Sequence, residues 1–466
     1  MAPTPTAATP GTIRSPGSAG ALQPATPKLR QRGFSSARIS LHLVKFRHIV
    51  RSMEPYASST LPNGLKVFSY FDENLPAVYM ALVVRAGYRY ESDEQIGYAH
   101  FLEHMLLKGT KKFPSPVEFA RQIDSVGAYK NGFTSHERAW YTIHAAKEFA
   151  EPMTDLLSQI ILEPNMDPQV AENEKKPILE EIEKAEFVDH ERALNMLAAR
   201  EFFRGHPLAR CILDSRETTS QATVPALLEY RNDFYSAGRS ALVFVGGVPH
   251  ADVRKLAESH FGSWERGRGA DDPIPFMPKY ARHLHINRDL PQTYIRLSFN
   301  TVPAGDVKTQ AALRLLRAML SHGGSALLKE ELRHKRGLVY AVTAGVNMYL
   351  DAGTFFISTF SKDPAETIRV IREVLAKVPD LITDKSVESL KQQVIGAQAL
   401  YLADPASRLD DLLPRFIWFD KLVTPEEKIQ ELSAVTADDV RAVATKYFSP
   451  DNSMLATLGR TDPGDL

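Results

Sequence analysis

The chain has 466 residues, 56 basic and 56 acidic side chains, a formal net charge of zero and one cysteine. That balance supplies no global field for nucleic acid or an anionic membrane, and a lone Cys211 excludes an internal disulfide or a cysteine-cluster metal site. A content of 44% hydrophobic and 24% charged residues excludes wholesale disorder, and no apolar run reaches the ~20 residues of a membrane span, so a soluble protein is expected.

The charge is segregated. Residues 1–53 hold eight Arg or Lys and no Asp or Glu, which leaves the rest of the chain with 48 basic against 56 acidic residues. This head, with Arg32-Gly33-Phe34-Ser35-Ser36 as a cleavage context, fits a disordered extension, sequence ahead of a start at Met53, or a mitochondrial transit peptide. Bacterial-type cytoplasm is the expected location, or the mitochondrial matrix if the head is a transit peptide. Residues 1–55 stand outside the expected fold.

Strands are predicted over 65–70 and 77–85, rich in Val, Tyr and Leu, after a turn at Asn63-Gly64. A helix is predicted over 97–107. Another starts at the capping box Ser115-Pro116-Val117-Glu118, with Pro at its first position. Strands over 129–134 and 140–144, helices over 147–162 and 167–187, and a strand over 240–245 follow. This order predicts α+β layers.

The Gly- and Pro-rich stretch 265–281 reads as a linker. Beyond it the pattern recurs. Thr223 to Gly247 reappears from Thr436, Glu103-His104-Met105-Leu106 lies opposite Arg317-Ala318-Met319-Leu320, and Pro164 and Pro379 are expected to end matching helices. Offsets of 213, 214 and 215 in that order indicate a tandem duplication. The expected fold class is α+β, two duplicated domains, each a mainly antiparallel sheet packed with helices. The expected boundaries are 56–264 and 282–462.

His100-Phe101-Leu102-Glu103-His104 carries the chemistry. Positions four apart share a helix face, so both imidazoles reach one metal ion, and Glu103 sits beside it without ligating. Zinc needs a third protein ligand and an open position. Glu172, Glu174, Glu180, Glu181, Glu183 and Glu186 on the downstream helix compete. Glu174 and Glu181, seven apart, share the face that backs the metal, and the geometry leaves that pair open. His144, His190 and His322 are expected to be surface or hydrogen-bonded histidines, and Cys211 a packed small residue.

Leu61-Pro-Asn-Gly-Leu-Lys-Val, Gly97-Tyr-Ala-His-Phe-Leu-Glu-His-Met-Leu-Leu-Lys-Gly-Thr, Asn131-Gly-Phe-Thr-Ser, Glu174 with Glu181, and Glu331-Leu-Arg-His-Lys-Arg-Gly-Leu-Val-Tyr340 together resemble the pitrilysin/insulinase family of zinc peptidases. The resemblance covers residues 61–459 and is to the short two-domain members, the mitochondrial and bacterial processing-peptidase type. It implies one zinc ion per subunit held by His100, His104 and Glu181, with Glu103 as general base and Glu174 orienting a ligating histidine. It further implies substrate contact along Asn131, Gly132 and Phe133, and a catalytic contribution from Arg333 and Tyr340 of the metal-free half. Arg314, Arg317 and Ala318 of that half stand where the first has His100, Glu103 and His104, so it cannot hold this site.

Two departures from the family pattern are Gly132, where Ala is commoner, and Pro177 inside the ligand helix. Members of this length form half of a clam shell. The resemblance therefore implies a homodimer, or a heterodimer with a related metal-free subunit, enclosing a peptide or unfolded protein segment. The function expected is metalloendopeptidase. The alternatives are a non-catalytic structural subunit of the same fold and a metal-binding chaperone.

Overall fold

The computed structural model describes residues 55–269, 273–278 and 282–464, and the basic head lies outside them. The first half runs β1 (Tyr56–Thr60), β2 (Lys66–Phe71), β3 (Ala77–Val84), α1 (Tyr98–Leu106), α2 (Pro116–Asp124), β4 (Tyr129–Thr134) and β5 (Ala139–Ala146). It continues with α3 (Ala150–Leu162), α4 (Pro168–Phe187), α5 (His190–Phe202), α6 (Arg216–Gln221), α7 (Val224–Phe234), β6 (Ser240–Gly246) and α8 (His250–Phe261). The second half runs β7 (His283–Asn287), β8 (Thr293–Asn300), α9 (Val307–Ser321), β9 (Val342–Met348), β10 (Gly353–Ser361) and α10 (Pro364–Leu381). It ends with α11 (Asp384–Tyr401), α12 (Pro405–Phe419), α13 (Pro425–Ser433), α14 (Ala437–Tyr447) and β11 (Ser453–Gly459).

The first sheet has the order β1-β2-β6-β3-β5-β4 and the second β7-β11-β8-β10-β9. Without β1 the two orders correspond strand for strand. The single parallel pairing recurs at the same place, β2 with β6 and β7 with β11, and all others are antiparallel. Equivalent threonines also cap equivalent helices: Thr223 accepts from Ala226 N ahead of α7, and Thr436 from Asp439 N ahead of α14. The duplication read from sequence offsets is therefore present in three dimensions.

One expectation from that repeat fails. Pro164 lies beyond the end of α3, but Pro379 falls inside α10, which continues to Leu381. A proline so near the C-terminus removes a single interior hydrogen bond, so the last turn survives it.

The halves are interlocked. On β3, Met80, Leu82 and Val84 face the first half's own helices. The alternate residues Ala81 and Val83, with Phe68 and Val243, face Leu409, Leu412, Leu413 and Phe416 of α12. Reciprocally, Ala193, Leu194 and Ala198 of α5 cover Met454, Ala456 and Leu458 of β11. Each half lends a helix to the far face of the other's sheet. Strands buried on both faces read as continuous apolar runs, as 77–84 and 240–246 do.

A buried ion network crosses the same seam. Arg89 donates to Glu137 Oε1 and Asp351 Oδ2, both at 2.5 Å. Glu137 also accepts from Leu350 N at 2.9 Å and from Trp418 Nε1 at 3.1 Å, and Asp351 accepts from Ile274 N at 2.8 Å. Replacing Arg89 by Met strands two buried carboxylates. It should lower the unfolding free energy by about 3–5 kcal/mol in a denaturant titration.

Candidate metal centre

α1 begins at Gly97, whose φ of 94° is left-handed. A Cβ there would also lie 2.4 Å from Ser215 Cβ, so glycine is required on two counts. With no capping side chain at that position, the buried Glu91 supplies the cap from outside, accepting from Gly97 N at 2.9 Å and Ala99 N at 2.7 Å. Burial raises its carboxyl to about 7.

His100 and His104 project from one face of α1 toward α4. His100 Nε2 lies 3.3 Å and His104 Nε2 3.8 Å from the same Glu181 oxygen, and one donor atom from each of the three lies within 4.8 Å of the others. Tetrahedral ligands at ~2.0–2.1 Å from zinc are ~3.4 Å apart, so the set fits zinc with little movement. Among the described residues no other three metal-ligating side chains converge in this way. The two histidines hold the Glu181 carboxyl well below its ordinary range. Arg192 reaches its other oxygen at 3.3 Å.

Glu174 stands behind this set. His104 Nδ1 donates to its Oε2 at 3.2 Å, which leaves Nε2 facing Glu181, and Lys108 Nζ holds Oε1 at 2.7 Å. Both carboxylates are on one side of α4, which is unbroken through Pro177. Pro177 is exposed, as are Glu172, Glu180 and Glu183. Glu174→Gln should weaken affinity for a divalent metal by about 10- to 100-fold, measured by competition with a chromogenic chelator.

Glu103 lies outside the donor set. Thr134 Oγ1 donates to its Oε2 at 2.8 Å, and burial raises its carboxyl against the opposing charge of His100 and the Thr134 hydrogen bond. Thr134 is on β4, an edge strand bonded only to β5. Alternation along β4 turns Lys130, Gly132 and Thr134 toward α1 and leaves Tyr129, Asn131 and Phe133 exposed. A Cβ on Gly132 would come within 2.8 Å of Glu103 Cγ, so this glycine clears the space that Glu103 occupies. A cavity of about 450 Å³ opens beside the pair, lined by Glu103, His104, Leu107, Phe119 and Lys130 among others.

Arg333 and Tyr340 lie together in the second half, the guanidinium 5.0 Å from the ring centroid, with Tyr340 73% exposed. Among the described residues neither makes a hydrogen bond, ion pair or ring contact with the five residues of the centre. Glu91, Thr134, Lys108 and Arg192 escaped the sequence reading. Only Thr134 had a usable signal, two residues beyond Gly132 on one strand face.

His144 and His190 are half-buried and rest on ring contacts with Tyr79 and Tyr294 respectively, each with one buried ring nitrogen unbonded among the described residues; His322 is exposed, and none of the three joins a metal-ligating group. Cys211 is buried, and burial pushes its thiol up to about 12. No described helix is long and apolar enough to cross a membrane.

A model of the insulinase family (peptidase family M16) matches residues 66–216, and a model of the peptidase M16 inactive domain matches 221–394. An uncharacterized zinc protease of Mycobacterium tuberculosis is 31% identical over 401 residues, 84% of this chain and 90% of that protein. One from Rickettsia felis is 27% identical over 89% of this chain and 99% of its own length. The mitochondrial-processing peptidase subunit beta of Lentinula edodes is 27% identical over 93% and 94% respectively. Among solved structures, a peptidase M16 inactive domain from Pseudomonas fluorescens superposes with a TM-score of 0.80 at 20% identity, covering 87% of this chain and 98% of that one. A protease from Helicobacter pylori gives 0.77 at 22% identity, covering 87% and 99%.

Proposed function

We propose, from the premise that this chain belongs to the insulinase family of peptidases (M16), that it is an active zinc metalloendopeptidase cleaving extended peptide segments. The observation that carries the proposal is the convergence of His100, His104 and Glu181 beside a carboxylate, Glu103, that is kept out of the donor set. Zinc, when bound, supplies Lewis acidity toward a peptide carbonyl and toward water.

The chain's own residues supply the rest. Glu103, half-buried and with a raised pKa, takes a proton from the attacking water and returns it to the leaving amine. Thr134 holds one oxygen of that carboxylate in place. The open edge of β4 bonds the backbone of an extended substrate, with Asn131 and Phe133 on its exposed face and Gly132 toward Glu103. Arg333 and Tyr340, which among the described residues make no hydrogen bond, ion pair or ring contact with this centre, act in a homodimer on the centre of the second copy across a shared chamber. Where the partner is instead a related metal-free chain, it encloses the substrate against this chain's centre, and Arg333 and Tyr340 have no second centre to act on.

Cleavage of a quenched fluorescent peptide, abolished by a chelator and restored by zinc, is the expected result. Zinc binding without turnover on any unfolded substrate would overturn the reading. It would point to the metal-binding chaperone; the intact donor set argues against the other alternative, a non-catalytic structural subunit.

A further inference from the structure

A second concentration of charge lies in the other half. α9, α12 and α13 enclose a cavity of about 250 Å³ whose wall includes Arg314, Asp410, Asp411, Arg415, Lys428 and Glu431. Arg415 is 1% exposed. Its Nη2 donates to the Asp411 carboxylate and its Nε to the Asp411 carbonyl at 2.9 Å, while Nη1 is buried with no partner among the described residues. Lys428 Nζ takes the other Asp411 oxygen at 2.7 Å. Arg314 makes no ion pair among the described residues, and its Nη2 rests 4.0 Å from Met348 Sδ.

Asp411 thus pairs with two of the three cations, Arg415 and Lys428, and Arg314 is favoured only at longer range, by Glu431 and then Asp411. Asp410 and Glu431 share the wall without a described ion pair to any of them. Burial, and then the Arg415 charge, push the Lys428 ammonium down to about 7 and hold Arg314 below its ordinary value. A guanidinium does not escape by losing its proton, so a buried Nη1 without an acceptor is a standing cost unless something in the cavity accepts from it. A water molecule's share of liquid volume is ~30 Å³, so this cavity has room for an oxyanion together with water.

We propose that the cavity is a binding site for a small oxyanion, a phosphate group or the carboxylate of a small metabolite, held by Arg314, Arg415 and Lys428. Arg314 and Arg415 present N–H groups and Lys428 a point charge, the donor set that recognises such groups. The site is independent of the peptidase reading. α12 also carries the apolar residues that cover the first sheet, so an occupied site braces that helix from its other side.

The test is calorimetric titration of the full chain with sodium phosphate and, separately, sodium citrate, against sodium chloride at matched ionic strength. One saturable site is expected; the tighter of the two anions identifies the group. Arg314→Met should weaken it by about 10- to 100-fold, the worth of a charge-assisted hydrogen bond. This variant strands no ion-pair partner and leaves the metal centre untouched, so anion binding at that centre would persist in it. Lys428→Met, which leaves Asp411 paired with Arg415, should weaken binding likewise. Absence of saturable binding by either anion, or equal affinity in both variants and the parent, overturns the proposal.

Discussion

Glu103→Gln should lower kcat by about 10²- to 10⁴-fold while leaving one zinc ion per chain, the span attributed to a positioned general base. The amide keeps the shape of the side chain and can still accept from Thr134 Oγ1, which lies 2.8 Å from the carboxylate. It cannot take a proton from water. Stability should not fall, because Glu103 is largely enclosed and a buried carboxylate costs desolvation that an amide does not. Turnover and metal content on the same sample, with a melting curve, decide the matter. Parental turnover at full zinc occupancy would remove Glu103 from the mechanism.

His104→Ala should abolish both metal binding and turnover. The side chain contributes twice, with Nε2 facing Glu181 and Nδ1 engaging Glu174, so its loss opens the donor set and releases the carboxylate behind it. A ligand that binds only the folded state stabilises it by RT ln(1 + [L]/Kd), about 4 kcal/mol at a thousandfold excess over Kd. The variant should therefore melt near the temperature of chelator-treated parent protein and show no response to added zinc. Elemental analysis giving one zinc per chain would refute the ligand assignment.

The sequence made the local parts of this centre legible. His100 and His104 are four apart and Glu174 and Glu181 seven apart, spacings that a helix converts into faces, and no long-range information was needed. The capping box at Ser115 and the Thr223 and Thr436 caps were readable for the same reason: each acts within three residues. Spacing alone did not choose between Glu174 and Glu181, because both lie on the correct face. The distances separate them, with Glu181 at both Nε2 atoms and Glu174 at Nδ1 of His104.

What stayed hidden depends on contacts far apart in the chain. Glu91 caps α1 through a loop that has no periodicity. Gly132 reads in sequence only as a departure from Ala, and the space it clears for Glu103 is visible only in the packing. The Arg89 network joins residues more than 200 positions apart, and amphipathic patterning shows that α12 has an apolar face without showing which sheet it covers.

The helix exchange between halves has a consequence for heredity. A fragment ending near residue 264 would retain every candidate metal ligand, yet it would lose α12 and bare Phe68, Ala81, Val83 and Val243 to water. The converse fragment would lose α5 and bare Met454, Ala456 and Leu458. Each copy completes the core of the other, so the duplication acts as a ratchet. The second copy lacks the histidines of the first, and selection still cannot discard it, because it supplies the wall against which the first copy folds.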